Sequence, residues 1–195
     1  MRRWILAILF VHPLGAQSLT DHRELAAIYA ADQTDRAPGA LDGLTQSVRD
    51  SVMRSVIARD TVRRLRVEAL MKSGAARTAN DFYHASLVIQ HGRDTLASLM
   101  AHDWARRAIA LDSTHAGAKG MIAASWDQYQ YRLGRPTWYS VIVIGGLREP
   151  ARMYAVDSTR VTDAERLRLG LQTLAEQRVG AARRVAALNA RRPPQ

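Results

Sequence analysis

The chain has 195 residues and a formal net charge of +10, from 28 Lys and Arg against 18 Asp and Glu, and it contains no cysteine. That length fits one domain of ordinary size, with enough interior to be stable unaided. The missing cysteines exclude disulfides, thiolate metal ligands and a cysteine nucleophile together.

Arg2 and Arg3 precede an apolar run over 4–11, and Pro13-Leu14-Gly15-Ala16 places a small residue ahead of Gln17. This layout predicts a secretory signal peptide over 1–16, cleaved near Ala16, and export to the periplasm or the exterior. The apolar run is far shorter than the roughly 20 residues that span a bilayer as a helix. The later apolar stretch 141–144 runs straight into Gly145-Gly146, so no membrane span is expected after signal removal. Loss of Arg2 and Arg3 lowers the charge from +10 to +8, which suits a partner of opposite sign. The basicity is almost all arginine, and it recurs at Arg49, Arg54, Arg59, Arg63, Arg64, Arg66, Arg106, Arg107, Arg183 and Arg184. Such dispersal describes solvated helix faces rather than one dense patch, and with export it argues against nucleic acid.

Helical signals then dominate. Asp21, followed at the capping-box spacing by Glu24, predicts an N-cap for a first helix of about three turns carrying Leu25, Ile28 and Tyr29. Pro38, Gly39 and Gly43 interrupt the pattern. A long helix is expected over 45–72, with Val48, Val52, Val56, Leu65, Ala69 and Leu70 as its apolar stripe and Gly74 as its stop. Thr78 opens the next helix, with Asp81 placed to accept from first-turn amides, and Gly92 ends it. A helix over 95–111 follows, striped by Leu96, Leu99, Met100, Trp104, Ala108 and Ile109. Asp112-Ser113-Thr114 is expected to close it and to cap another helix reaching about residue 133, ahead of Gly134 and Pro136. These two form a helical hairpin of tetratricopeptide-like wording, although no 34-residue period accompanies it.

Residues 138–144 are rich in strand formers, but no ladder partner is visible, so the segment over 136–161 is expected to be a packed loop. Thr162 and Glu165 predict a capping box for one terminal amphipathic helix along Leu167, Leu171, Leu174, Arg178, Ala181, Val185 and Leu188. The tail over 191–195 reads as disordered.

Four blocks, ADQTDR, DFYHASLVIQHG, AHDWA and WDQYQYRLGRPTWY, stand in that order. The chain thereby resembles an uncharacterised bacterial family of unknown function with blocks D-Q-x-x-R, D-Y-Y-x-A ending in Q-H-G, and D-R-Y-L leading to G-x-P-Q-x-Y-G-T-Q. The resemblance covers most of the mature chain. It implies Asp32, Gln33, Arg36, Asp81, Gln90, His91, His102, Asp127, Gly134, Pro136 and Tyr139 as family positions. Gln128 and Ser140-Val141-Ile142 depart from the family pattern and imply a diverged member, one that has lost any active centre the family builds there.

The residues themselves leave several chemistries open. His84 and His91 fall within about 20° of each other around a helix but about 10 Å apart along it, too far for both rings to bind one metal. His91 precedes Gly92, where an imidazole interacts well with the last carbonyls of a helix, and Asp81 and Gln90 read as capping or surface groups. Asp32 and Arg36 suit an i,i+4 pair worth a few tenths of a kcal/mol. No G-x-S-x-G, H-E-x-x-H, phosphate loop or dinucleotide fingerprint is present, and no metal or cofactor is expected. Trp126 and Tyr129 read as core aromatics; Tyr131, Trp138 and Tyr139 could join them in a ligand groove.

The expectation is an exported, all-α protein of about six helices in a bundle or hairpin stack, a single helical domain over 17–190. It would bind an envelope protein, an anionic polymer or a small ligand through a cluster of Asp32, Gln33, Arg36, Asp81, Gln90, His91, His102, Asp127 and Tyr139. The alternative is a small hydrolase in which Asp32, Asp127 and His91 meet across the bundle.

Overall fold

The structure, a computed structural model, describes residues 19–145 and 149–190. The expected signal peptide over 1–16 and the expected disordered tail over 191–195 lie outside the described residues. Within them the chain is all-α apart from one small ribbon: α1 (Arg23–Thr34), α2 (Gln46–Lys72), α3 (Ala79–Gln90), α4 (Thr95–Leu111), α5 (Ala116–Arg132), β1 (Val143–Ile144), β2 (Arg152–Met153), α6 (Asp163–Arg168) and α7 (Leu174–Ala190).

Each helix starts where a side chain satisfies its free first-turn amides. Thr45, Thr78, Asp94 and Thr162 accept from the third residue on in α2, α3, α4 and α6. Two caps differ from expectation. His22, not Asp21, caps α1, and His115, not the Asp112–Thr114 segment, caps α5; each uses a ring nitrogen as acceptor. Asp21 is drawn off by α3, accepting from the Thr78 hydroxyl at 2.7 Å and the Asn80 amide at 2.8 Å.

α3 is the central element, packed against α1, α2, α4 and α5. On one side Leu25, Val67, Leu70, Ala85 and Val88 meet; on the other Ile89, Ala97, Ala101, Ala105 and Met121 do. The second interface is largely alanine, which lets neighbouring helices approach at the short end of the usual 8–10 Å range. The expected stripes hold at Ala108, Val56 and Leu70, with Met100, Trp104 and Ile109 packed on the core, but this choice of small residues displaces their largest members. Leu96 is 63% exposed while Ala97, Ala101, Ala105 and Ala108 are sealed, and on α2 Leu65 is 64% exposed while Val67 is fully buried. Size misleads here because the faces that pack closest are those with least side chain to bury.

The segment over 136–161 is not merely a packed loop. β1 pairs antiparallel with β2, Val143 opposite Met153 and Ile144 opposite Arg152, and Thr137 forms a parallel bridge to Val156. Its partner strand is too short and too polar to read from sequence. The single expected terminal helix is two: α6 stops at Leu169, and Gly170 turns the chain at φ 76° before α7 begins. A second capping box makes this break. Thr173 receives the Glu176 amide at 3.4 Å, and Glu176 accepts from the Thr173 amide at 2.9 Å. α7 packs on the ribbon.

Candidate functional site

The C-terminal end of α1 lies antiparallel to α2, and a chain of charges ties them. Arg36 bridges Asp32 at 2.9 Å and Asp60 at 2.6 Å. Arg63 joins Asp60 at 3.5 Å to Asp35 at 2.7 Å, and Arg59 forks onto both oxygens of Asp35 at 2.8 Å. Two arginines hold the Asp35 carboxyl down to about 2, the Arg59 hydrogen bond contributing most. The expected i,i+4 pair of Asp32 with Arg36 is present, and Asp32 is fully buried beneath it.

α3 delivers His91 to this network. Its Nε2 lies 3.2 Å from Asp32 Oδ2, at ion-pair distance but outside hydrogen-bond geometry. Asp32 also accepts from the Gln33 side-chain amide at 2.9 Å. Asp32, Gln33, Arg36 and His91 therefore converge, and the His91 side chain is 25% exposed against 0% for Asp32. Next to it, Gln90 has a buried side-chain oxygen without a partner, as Arg64 has a buried Nε. Arg132 covers the end of α3, donating to the carbonyls of Gln90 and Gly92, to the Asp94 carbonyl and to the Ser98 hydroxyl. Burial lowers its pKa from the ordinary value, and neighbouring Arg64 adds to that.

The other expected positions lie elsewhere and have structural duties. Asp81 is fully buried at the opposite end of α3, accepting from the amides of His22, Arg77 and Thr78 at 2.7, 2.9 and 3.1 Å. It thereby locks the start of α1 to the start of α3. His102 faces α5, its Nδ1 3.1 Å from the Ile122 carbonyl, and burial pushes its pKa down. Its ring packs on Trp126, whose ring also meets Tyr129 and Trp138, and all three of these aromatic residues are partly buried.

Asp127 is 2% exposed and spends both oxygens on one loop. Trp138 and Tyr139 donate to Oδ1 at 2.7 and 2.9 Å, and Ser140 donates to Oδ2 at 2.7 Å. Burial raises its pKa, against the pull of those three amides. Tyr139 enters through its backbone as well as its half-buried ring. Its carbonyl accepts from Arg166 Nε at 3.0 Å, while the Trp138 carbonyl accepts from Arg166 Nη2 at 2.8 Å. Arg166 is 1% exposed, and the sequence reading passed over it. The sequence pattern points away from it: Leu167, expected on the apolar face of this helix, is 58% exposed while Arg166 is buried.

A second cluster also escaped the sequence. Tyr29 stacks on His84 with ring centroids 4.2 Å apart, and Tyr83 touches Tyr29, His84 and His115. Burial raises the Tyr83 hydroxyl to about 12 and pushes His84 down, with His84 Nδ1 left unpartnered. Among the described residues no group of three or more His, Cys, Asp or Glu could hold a metal ion. Among them, too, no helix is long and apolar enough to cross a membrane. No family model, curated protein or solved structure matches the chain.

Proposed function

We propose that the chain is an exported helical binding module, which holds a small anionic ligand or an anionic group of an envelope partner at the C-terminal end of α3. The observation carrying this reading is the His91 ring, partly exposed and backed by the buried Asp32 that Arg36 holds. That carboxylate lies against the buried edge of the ring, while Arg64, packed against Gly92 one residue on, adds positive charge. Binding is favoured over turnover because, among the described residues, no hydroxyl hydrogen-bonds to His91, and Asp127 is committed to three amides of its own loop. The reading extends to the diverged membership suggested above. Support for it is that Asp32, Gln33 and Arg36 of one block meet His91 of another. The α4–α5 hairpin supports the tetratricopeptide-like pairing in the same limited sense.

Titrating the isotope-labelled protein with inorganic phosphate and with glucuronate should move the His91 ring signals saturably, and His91→Gln should abolish that response. If neither anion moves those signals, the binding reading fails. The 3.2 Å contact between His91 and Asp32 also favours a hydrolase as second reading, since it orients the ring as a general base. A pH-dependent turnover of p-nitrophenyl acetate, lost in His91→Ala, would replace binding by catalysis. For export, N-terminal sequencing of protein recovered from the cell envelope should begin near Gln17, and a retained Met1 removes the claim.

A further inference from the structure

β1 has an edge that β2 leaves unused. With Val143 opposite Met153, the Tyr154 amide donates to the Ile142 carbonyl at 2.8 Å, so Ile142 and Ile144 aim their backbone groups at β2. Alternation along the strand turns the N–H and C=O of Val143 to the other edge, together with those of Val141. That edge faces α7, because the Val141 amide donates to Gln177 Oε1 at 3.0 Å. Two residues on, Val143 has no such helix side chain to meet it among the described residues.

A groove of about 370 Å³ lies between this edge and α7, lined by Val141, Val143, Gln177, Gly180, Ala181 and Arg184. Gln177, Gly180, Ala181 and Arg184 share one face of the helix by their spacing. Gly180 keeps the floor low, and a Cβ added there would meet nothing within 4 Å. Charge sets the occupant. Glu176 is the one acidic residue on α7, and it is spent on the Thr173 hydroxyl at 2.6 Å. Arg178, Arg183 and Arg184 have no carboxylate within ion-pair distance among the described residues.

We propose that this groove takes an extended acidic segment of a partner protein, which adds as a strand to the Val143 edge and sets a carboxylate on Arg184. Main-chain hydrogen bonds would supply affinity and alternate side chains specificity. The chain's own tail is a poor occupant, since Arg191 and Arg192 repel Arg184 and Pro193 and Pro194 have no N–H to donate. A second copy would set one arginine-rich face against another. The groove uses none of the residues at the end of α3, so it stands or falls apart from the reading above.

The test is to titrate the isotope-labelled full mature chain with an end-blocked peptide of alternating valine and glutamate. The Val143 amide signal should move, and the affinity should fall about tenfold or more in Arg184→Glu and in Gly180→Leu. Both positions are exposed on a helix, and circular dichroism should show both variants folded. N-methylating alternate peptide amides should abolish binding, and a valine–lysine peptide should prefer Arg184→Glu. An unmoved Val143 signal, or binding indifferent to Arg184→Glu, overturns the proposal. So does a Val143 signal that shifts on dilution or on removal of 191–195, since the occupant is then a second copy or the tail.

Discussion

Asp32 and His84 show how burial changes what a side chain does. Asp32 sits under Arg36 with no exposure, and its removal strands a guanidinium between Asp60 and an emptied site. Asp32→Ala should therefore cost about 1.5–3 kcal/mol, the range for hydrogen bonds to charged groups, read from urea unfolding midpoints. Two pH windows follow. Asp35 is held at about 2 against an ordinary 3.8, so its contribution to stability is complete above 3.8 and is lost as pH falls through 2. Arg59→Ala with Arg63→Ala should flatten the unfolding midpoint across that window. His84 and His102 are pushed below the ordinary 6.5, so the unfolded chain takes up protons first and stability falls as pH drops below 6.5. Midpoints measured from pH 7 to 5 should decline less in a His84→Phe variant; an equal decline would sink the assignment.

At the scale of elements, the hairpins depend on small residues at close approaches. Gly117 in the first turn of α5 faces the Tyr83 ring of α3, where an added Cβ would come within 2.7 Å of the ring. Gly117→Ala should gain helix propensity but lose packing. The net is a destabilisation of about 1–3 kcal/mol, since Tyr83 is itself wedged among Tyr29, His84 and His115. A gain in thermal midpoint would mean that the ring moves aside freely. The element order was legible wherever a cap and an apolar period coincided, as at Thr78 with Asp81 and at Thr162 with Glu165. The α6–α7 break was not. The heptad-like spacing of Leu167, Leu171 and Leu174 runs across Gly170 without a flaw, and only the Thr173–Glu176 box betrays the restart.

Across the whole molecule, one acid and one arginine join the α1–α5 body to the ribbon and its helices. Asp127 satisfies the amides over 138–140, and Arg166 satisfies the carbonyls of Trp138 and Tyr139. Tyr131 against Tyr154 and Trp126 against Trp138 complete the junction. Arg166→Met should leave the Trp138 carbonyl unpaired and the Tyr139 carbonyl with Gln177 Nε2 alone, so hydrogen exchange should speed over 138–144 and 152–154 while α3 and α4 keep their protection. Uniform loss across all helices would show that the junction unfolds with the body rather than before it. What the sequence determined alone is what acts within a few residues: the starts of α2, α3 and α6, the glycine stops at Gly74, Gly92 and Gly134, and the all-α class, because caps and i,i+4 contacts are written locally. Only the tertiary structure decided that Asp32 meets His91, that Asp127 serves its own loop, and that a strand edge lies open beside α7. Each of those depends on which distant group reaches a buried polar atom first.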